Sequence, residues 1–495
     1  SGWKDIFTHD SFAGYERVEQ EGSVLEGGRY RPLSLAWFAL VISLFGSAPW
    51  IFHVFNILLY AASCALLYRV LILVLKDVPQ GAWISFLTAL LFTVHPVHTE
   101  VVANIKSADE ILALLLGLGA IYSLFRAWNT QRASSAWIAA VCMWLACLAK
   151  ENAVTLIVTI PLAIWYFRKT TWLQAGQYAI PLVMGVAAFL LMRAGALGGE
   201  PSGTIMHDPL NNPFMTWTGE VWTDCGVGDR WATIIYVFGR YIGLLLLPFP
   251  LTHDYYPFHI TLQSFSSPWV WLSLLLGIGI LAGSVRSFMT RAVAGYGALF
   301  FLVALSITSN IIFPVGTFMA ERFLFMPSVG AILALVALGY SRPPMVRMMP
   351  WIVAGVAILF SIMTVMRNTA WKDNRTLFMT DIVHSSNSAK LQNDLGTLLL
   401  DEAMKMTDPV QQQAQLQEAL PHLRRAVELH PTYYDAMLAY GACAYYGKQY
   451  DVASASYRQA LRLYPGDPKS AAGLFYSLQA LAPDQWSKQD SAAAV

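Results

Sequence analysis

The chain has 495 residues, of which 56% are hydrophobic and only 13% are charged. In soluble domains about a quarter of the residues are charged, so this composition excludes a soluble globular protein and indicates a polytopic membrane protein. The formal net charge is +1 and the charges form no basic tract, which gives no support to nucleic-acid binding.

The first 31 residues are polar and aromatic and contain glycines, as in a loop between two membrane spans. Because the segment does not have the pattern of a signal peptide, we expect another span upstream of it. The composition then divides the chain into three predicted regions. They are an extracytoplasmic loop with interfacial helices over 1–48, a multi-span transmembrane domain over 49–366, and an extracytoplasmic repeat domain over 367–495.

Ten apolar runs have lengths close to that needed to cross a bilayer as a helix. They cover 49–75, 83–95, 109–125, 135–149, 152–167, 172–192, 268–285, 293–311, 324–340 and 349–366. Five pairs of basic residues stand in alternate loops between the runs. These pairs are Arg69 and Lys76, Arg126 and Arg132, Arg168 and Lys169, Arg286 and Arg291, and Arg342 and Arg347. Under the positive-inside rule these five loops face the cytoplasm.

Two further apolar runs, 32–47 and 231–250, would reverse the sides of the loops that follow if they crossed the membrane. Arg31 and Pro32 open the first run, and Arg240 interrupts the second. We therefore predict that both are interfacial or re-entrant. The backbone tolerates this only where protein or a wet cavity covers it, so a cavity is expected at the non-cytoplasmic face.

The loops assigned to the non-cytoplasmic face contain acids and histidines as well as bases. They carry His95, His98, Glu100, Lys106, Asp109, Lys150, Glu151, Arg193, Asp254, Glu321 and Arg322. Charge at a membrane boundary is costly, so it usually has a partner or a function. Topological anchoring explains the basic pairs of the opposite face, whereas a functional site explains this mixture better.

From Arg367 onward the composition is that of polar helices, and residues 431–465 match a tetratricopeptide repeat with its 34-residue period. The small, aromatic and proline positions of that repeat are occupied by Gly441, Ala453, Tyr457, Ala460 and Pro465. A preceding unit runs from 393 to 431 with an insertion at 406–413, and a degenerate third helix pair is predicted at 468–482. Such solenoids bind peptides or partner proteins. A spacer role is the alternative.

Several of these motifs, in this order, resemble the transmembrane and tetratricopeptide-repeat O-mannosyltransferases. The matching segments are 6–10, 30–33, 95–100, 150–151, 254–255, 309–330 and 367–378. The block at 309–330 is the most specific, because it places Glu321 beside Arg322 at a membrane edge. The short loops and compact repeats favour a bacterial relative.

The resemblance implies an all-α fold, in which a polytopic membrane helix bundle of the GT-C glycosyltransferase type is followed by a tetratricopeptide-repeat solenoid. It also implies transfer of a sugar from a polyprenyl-phosphate donor to a hydroxyl group of a protein acceptor on the luminal or periplasmic face. The predicted partners are the lipid-linked donor, membrane lipids, and a protein or peptide acceptor docked by the repeats. In the family, acidic residues just after the first span are thought to supply the catalytic carboxylate. This chain begins after that point, and Asp10 matches a later aspartate of the same loop.

Such a transfer needs a carboxylate to take the acceptor proton, cations to hold the departing phosphate, and an apolar groove for the prenyl tail. The catalytic candidates are Asp10, His95, His98 and Glu100. The phosphate-binding candidates are Arg31, Lys106, Lys150 and Arg322, with Asp109, Glu151, Asp254 and Glu321 in support. Because adjacent residues on a helix do not face each other, we expect Arg322 to find its partner elsewhere than at Glu321.

The two histidines keep alternative interpretations. They would bind a divalent metal together with Glu100, although His-x-x-His-x-Glu is not the order of zinc proteases. They would also suit a structural role at the helix that follows Pro96. We predict a metal-free polar network and no cofactor beyond the donor substrate.

Two non-enzymatic interpretations remain open. A degenerate transferase body would serve as a membrane scaffold that presents the repeats. A lipid or ion transporter is the weaker alternative, since transporters typically show duplicated spans or charges near mid-membrane. For the enzyme, we predict a bacterial inner membrane with the repeats in the periplasm, the alternative being the endoplasmic reticulum with the repeats in its lumen.

Overall fold

The computed structural model describes residues 2–11, 29–198, 208–256 and 258–481. Almost all regular structure in these segments is helical, in agreement with the predicted all-α class. The helices up to the last membrane span are α1 (Gly2–Thr8), α2 (Pro32–Phe45), α3 (Pro49–Val74), α4 (Gly81–Val94), α5 (Thr99–Ala103), α6 (Ala108–Thr130), α7 (Ala133–Ala149), α8 (Leu156–Phe167), α9 (Trp172–Ala196), α10 (Val227–Leu246), α11 (Pro268–Met289), α12 (Val293–Ser306), α13 (Phe325–Tyr340), α14 (Pro343–Val346) and α15 (Met349–Ala370). A hairpin of β1 (Met215–Trp217) and β2 (Trp222–Asp224) precedes α10.

Within the described residues, six helical segments are long and apolar enough to cross a membrane. They are Pro49–Val74, Ile105–Thr130, Trp172–Ala196, Pro268–Met289, Glu321–Tyr340 and Met349–Ala370. The bent pair Gly81–Val94 and Pro96–Ala103, with 52° between its halves, makes a seventh if it counts as one span. The chain is therefore an integral membrane protein.

The remaining three predicted spans also form helices, but each is short. They are Ala133–Ala149, Glu151–Phe167 and Val293–Ser306. The last ends well before residue 311, so the predicted run 293–311 was too long. Of the two runs predicted not to cross, 32–47 forms a helix of 14 residues. The other is α10, a 20-residue helix with Asp229 in its first turn, and it is not among the candidate spans.

The loops with basic pairs lie together at one end of the helix bundle. Arg168 donates hydrogen bonds to the carbonyl oxygens of Leu73 and Val74 at 2.7 and 3.2 Å, which joins the third basic loop to the first. The hydroxyl of Tyr166 donates to the carbonyl of Ala292 at 2.5 Å, which joins the third to the fourth. We refer to this as the basic end and to the opposite end as the polar end.

Two glycines allow α12 and α13 to pack closely. A Cβ atom on Gly330 would lie 2.4 Å from the carbonyl oxygen of Gly297, and one on Gly297 would lie 2.7 Å from the carbonyl oxygen of Gly330. Because backbone atoms cannot move aside as flexible side chains do, both positions require glycine. Gly330 closes the block 309–330, so this close contact fixes the end of that block against α12.

The C-terminal arm is a stack of helices. After α16 (Asn374–Asp381) come α17 (Ala389–Lys405), α18 (Pro409–Leu429), α19 (Tyr434–Tyr446), α20 (Tyr450–Leu463) and α21 (Pro468–Leu481). The pairs α17–α18 and α19–α20 correspond to the two predicted repeats, and the residues inserted at 406–413 lengthen α18 at its start. The third helix pair predicted at 468–482 was wrong, because 468–481 forms a single helix. That helix covers Tyr457, whose ring lies against Gly441 and Gly473.

The arm docks onto the polar end through a buried aspartate. Asp381 forms two hydrogen bonds with the guanidinium of Arg367, at 2.5 and 2.9 Å. It also accepts from the backbone N–H of His253 at 2.8 Å and lies 2.7 Å from its imidazole. Burial raises the pKa of Asp381, but the hydrogen bonds from Arg367 and His253 and the charge of Arg367 lower it to about 2.

We expect Asp381→Asn to loosen the arm. The pKa in the folded state lies below the unfolded value of about 3.9, so the ionised group stabilises docking above that pH. The wild type loses this contribution as the pH falls from about 4 towards 2, whereas the variant lacks it throughout. Removing one member of a buried ion pair costs on the order of 3 kcal/mol. Hydrogen exchange across 374–405 at pH 7 and pH 3 would measure the change.

Glu402→Gln is the control, because Glu402 pairs only with the exposed Arg375 among charged residues in the described part of the chain. Unchanged exchange in Asp381→Asn at pH 7 would contradict the expectation.

Candidate active site

Five residues form a first charged network at the polar end, and all of them except Glu110 were predicted as site residues. Arg31 binds both carboxylate oxygens of Glu151, at 2.7 and 2.8 Å, and one oxygen of Asp109 at 2.8 Å. Lys150 donates to Glu110 at 2.6 Å and lies 3.4 Å from Asp109. Three carboxylates thus share two cations. Both Arg31 and Lys150, predicted to bind phosphate, are held by acids of the protein.

The network is assembled where three helices begin or end. Arg31 precedes α2, and Asp109 and Glu110 lie in the first turn of α6. Lys150 follows α7, and Glu151 is the first residue of the 3₁₀ turn Glu151–Thr155. The positive end of the α6 dipole favours acids in its first turn. These helix ends therefore bring the charges together, and Lys150 is almost fully buried among them.

A second network surrounds the Glu321-Arg322 pair. Glu100 accepts hydrogen bonds from the backbone N–H of Arg322 at 2.9 Å and from its guanidinium at 2.5 Å. The expectation that Arg322 pairs with a distant acid is confirmed. Glu321 points elsewhere and accepts from the N–H of Thr252 at 2.5 Å and from the hydroxyl of Tyr255 at 3.0 Å. The side chain of Arg322 keeps 27% of its surface exposed, so it can still meet a ligand.

Lys106 lies between the two networks. It is exposed, and its electrostatic neighbours are Arg322, Asp109 and Arg31. Its ammonium group makes no ion pair with any residue in the described part of the chain. Of the four cations predicted to bind phosphate, Lys106 and Arg322 are the most exposed, while Arg31 keeps 20% of its side-chain surface exposed and Lys150 keeps 6%.

His95 and His98 are buried at the bend between α4 and α5. The Nε2 atom of His95 lies 3.1 Å from the carbonyl oxygen of Leu245, and Nδ1 accepts from the N–H of Val97. For His98, Nδ1 lies 2.8 Å from the carbonyl of Phe92 and Nε2 lies 2.9 Å from the hydroxyl of Ser328. Every ring nitrogen thus has a partner, which favours the structural role over direct catalysis. The histidines and Glu100 do not converge, and no group of three metal-ligating side chains is found in the described segments.

Asp10 and Asp254 are the two remaining predicted carboxylates. Asp10 is half-buried next to Ser11, whose hydroxyl accepts a hydrogen bond from the N–H of Arg31 at 3.1 Å. Asp254 accepts from the N–H of Tyr256 and lies 3.7 Å from Lys390 of the arm. The residue that follows Asp10 in the chain thus contacts the backbone of Arg31 in the first network, while Asp254 takes part in docking the arm.

The arm also contacts the loop that contains the β-hairpin. The indole of Trp222 donates to the hydroxyl of Thr432 at 2.7 Å, and Asp208 lies 3.3 Å from the imidazole of His430. Leu210 packs with Ala426 and Tyr433 in a small apolar cluster. Part of the repeat surface is therefore occupied by the protein's own membrane body and is not free for a partner.

An apolar groove of about 260 Å³ opens beside the second network. Its walls come from α10, α11 and the end of α12, including Val237, Ile278 and Leu305. Tyr241 also lines it, and the hydroxyl of Tyr241 accepts a hydrogen bond from the N–H of Ala320 at 3.3 Å. The groove thus reaches the segment that carries Glu321 and Arg322. It has the chemical character expected of a site for a hydrocarbon chain.

Sequence reasoning missed several residues of the polar end. Glu110 belongs to the first network although only its neighbour Asp109 was predicted. Asp381 and Arg367 form the main docking pair, and neither was among the predicted site residues. Glu110 could have been predicted from the sequence, because it stands beside Asp109 in the first turn of a helix, where acids are favoured by the helix dipole. The partners of Asp381 lie on separate elements, and nothing in their spacing indicates the contact.

Comparisons with known proteins identify relatives over most of the chain. No protein-family model matches it, and no solved structure matches it significantly. It is 26% identical to protein O-mannosyl-transferase Tmtc3 of Drosophila melanogaster, with 93% of this chain and 54% of that protein covered. It is 26% identical to human protein O-mannosyl-transferase TMTC1, with 82% and 49% covered. For human protein O-mannosyl-transferase TMTC3 the identity is 28%, with 75% and 43% covered. The chain thus spans about half the length of these relatives. The curated homologues of this protein are protein O-mannosyl-transferases.

Proposed function

We propose that this protein is a membrane glycosyltransferase of the GT-C type. It moves a sugar, mannose by analogy with the names of its relatives, from a polyprenyl-phosphate carrier to a hydroxyl group of a protein acceptor. The observation that carries the proposal is the placement of two charged networks and an apolar groove at one end of the bundle, under the docked arm. Together with the homology, this placement favours a lipid-linked donor over a soluble one.

In the proposed reaction, the bond between the anomeric carbon and the phosphate oxygen breaks as the acceptor oxygen attacks that carbon. A carboxylate takes the hydroxyl proton, and Asp10 is our candidate for this role. The carrier leaves as a phosphate monoester, whose negative charge Arg322 and Lys106 stabilise. Arg31 and Lys150 hold the carboxylates of the first network and so keep the helix ends in place.

We assign the polar end to the non-cytoplasmic side, because the five basic loops occupy the opposite end. In a bacterial inner membrane the arm then lies in the periplasm, and in the endoplasmic reticulum it lies in the lumen. The exposed part of the repeat surface would hold the acceptor polypeptide close to Arg322. Because α16 and α17 are fixed to the membrane body, the arm presents an acceptor at a constant distance from the networks.

The direct test is sugar transfer by the purified protein in liposomes. Polyprenyl-phosphate mannose with a radiolabelled sugar is supplied as donor and a peptide rich in serine and threonine as acceptor. We expect labelled peptide with the wild type and a loss of at least about tenfold with Asp10→Asn, as for removal of a general base. Arg347→Gln, an exposed change at the basic end, serves as control. A wild type that transfers no label from this donor, yet binds the peptide, would instead support the scaffold interpretation.

A further inference from the structure

A second, polar cavity of about 300 Å³ lies between α10, the loop at 250–263 and the arm. Its lining includes Arg240, His259 and His384, together with the phenols of Tyr236 and Tyr255. None of these residues was predicted as part of a site, and the roles proposed above do not use Arg240, His259 or His384. His384 comes from the arm, so the cavity closes only when the arm is docked.

The basic groups of this cavity differ from those of the two networks in having no acid partner. Arg240 is half-buried and makes no hydrogen bond or ion pair with any described residue. The imidazoles of His259 and His384 likewise have no hydrogen-bond partner within the segments described. Burial and the charges of Arg240 and His384 lower the pKa of His259, although Asp254 opposes this. Basic groups that repel one another around an open space would be stabilised by an anion placed among them.

Two acids close to the cavity have partners of their own. Asp254 interacts with Lys390 of the arm. Glu321 accepts its hydrogen bonds from Thr252 and Tyr255. The cavity therefore combines a fork-shaped cation with two imidazoles and the phenol of Tyr236, because the hydroxyl of Tyr255 already donates its proton to Glu321. This set of donors suits the oxygens of a phosphate group.

The apolar groove lies on the adjoining face of the same helix. Tyr236 and Arg240 of α10 line the polar cavity, whereas Val237 and Tyr241 line the groove. The exposed Ile278 of α11 forms part of the membrane-facing rim of the groove. One helix thus contributes residues to both the cationic cavity and the apolar groove, which lie on its adjoining faces.

We propose that, after the sugar has been transferred beside Arg322 and Lys106, the polar cavity binds the phosphate monoester of the polyprenyl carrier, with Arg240 as its principal cation and the hydrocarbon chain in the apolar groove. This inference rests on the proposed lipid-phosphate donor, because a monoester is what the carrier becomes after the sugar has left. A monoester carries a charge of about −1.5 to −2 at neutral pH. The sugar-bearing diester carries only one negative charge, so the guanidinium of Arg240 attracts the product more strongly.

The test measures binding to the full-length chain in nanodiscs, without any transfer step. The probes are undecaprenyl phosphate, undecaprenol and inorganic phosphate. We expect Arg240→Gln to weaken the binding of undecaprenyl phosphate by about tenfold or more, as for loss of a charge-assisted hydrogen bond. The binding of undecaprenol should not change. Ile278→Trp, which fills the groove, is expected to weaken the binding of both lipids but not the binding of inorganic phosphate. Arg347→Gln is the matched control.

Each other outcome overturns the inference. Binding of undecaprenyl phosphate to Arg240→Gln as tight as to Arg347→Gln would remove Arg240 from the site. Inorganic phosphate bound as tightly as undecaprenyl phosphate would mean a free-phosphate site instead. If Arg240→Gln fails to fold, His259→Asn replaces it with the same expected selectivity. If the wild type binds these probes as expected but transfers no mannose, the proposed function is wrong while the binding site remains supported.

Discussion

Replacement of Arg322 by alanine is expected to abolish sugar transfer, with a loss of at least about a hundredfold, and also to destabilise the protein. Transition-state charge stabilisation by one well-placed donor has an effect of this size. The destabilisation follows from Glu100, which is 1% exposed. Within the described segments, its carboxylate would keep only the backbone N–H of residue 322. Removing one partner of such a pair costs about 3 kcal/mol.

The double variant Glu100→Gln with Arg322→Gln separates the two effects. It removes both charges and retains side chains that can form hydrogen bonds, so most of the lost stability should return. If Arg322 acts on the phosphate, transfer stays abolished in the double variant. The measurements are thermal unfolding in detergent and transfer of labelled sugar in liposomes. Recovery of transfer together with stability would show that Arg322 serves only to hold Glu100.

The placement of the polar residues could be predicted because it follows from helix length and loop charge. Once the apolar runs are assigned, the basic pairs decide which loops share an end, and Glu100, Lys150 and Arg322 then fall together. Their helix ends also follow from local chemistry. The proline at the start of α3, for example, stands where its missing N–H costs nothing.

The pairing of these residues could not be predicted in the same way. Arg31 and Glu151 are 120 residues apart, and Arg322 and Glu100 are 222 apart. Loop charge shows only that such residues share an end, and an end with several acids and bases allows many pairings. Arg31 and Lys150 were therefore predicted as phosphate ligands although acids of the protein hold them.

Arg240 was overlooked for a related reason. In the sequence it appears only as a charge that interrupts an apolar run, which predicts an interfacial helix. The cavity it faces is built by two further elements, the loop at 250–263 and the arm with His384. Neither the closeness of the arm nor the lack of an acid partner can be deduced from residue spacing. The third repeat was mispredicted because α21 has the apolar spacing of a helix but no partner within 468–481.

The second large effect is expected for Lys150→Met. The ammonium group of Lys150 lies among two buried carboxylates, Glu110 at 2.6 Å and Asp109 at 3.4 Å, and only 6% of the side chain is exposed. Without the cation, Asp109 keeps Arg31, but the one partner left to the Glu110 carboxylate among the described residues is the amide of Asn152 at 3.2 Å. An uncompensated buried charge of this kind costs about 3 to 5 kcal/mol. We expect a much lower unfolding temperature in detergent. Lys169→Met, an exposed change at the basic end, should alter stability by no more than about 0.5 kcal/mol.

A compensating change decides whether Lys150 has any role beyond this pairing. Glu110→Gln in the Lys150→Met background removes the unpaired charge, so the unfolding temperature should rise again. If Lys150 only holds the first network, as we propose, sugar transfer should recover with stability. A stable double variant that still fails to transfer would instead support the direct phosphate contact. Equal stability of Lys150→Met and the wild type would mean that the network does not hold α6 and α7 together, because the carboxylates would then be compensated by water rather than by the lysine.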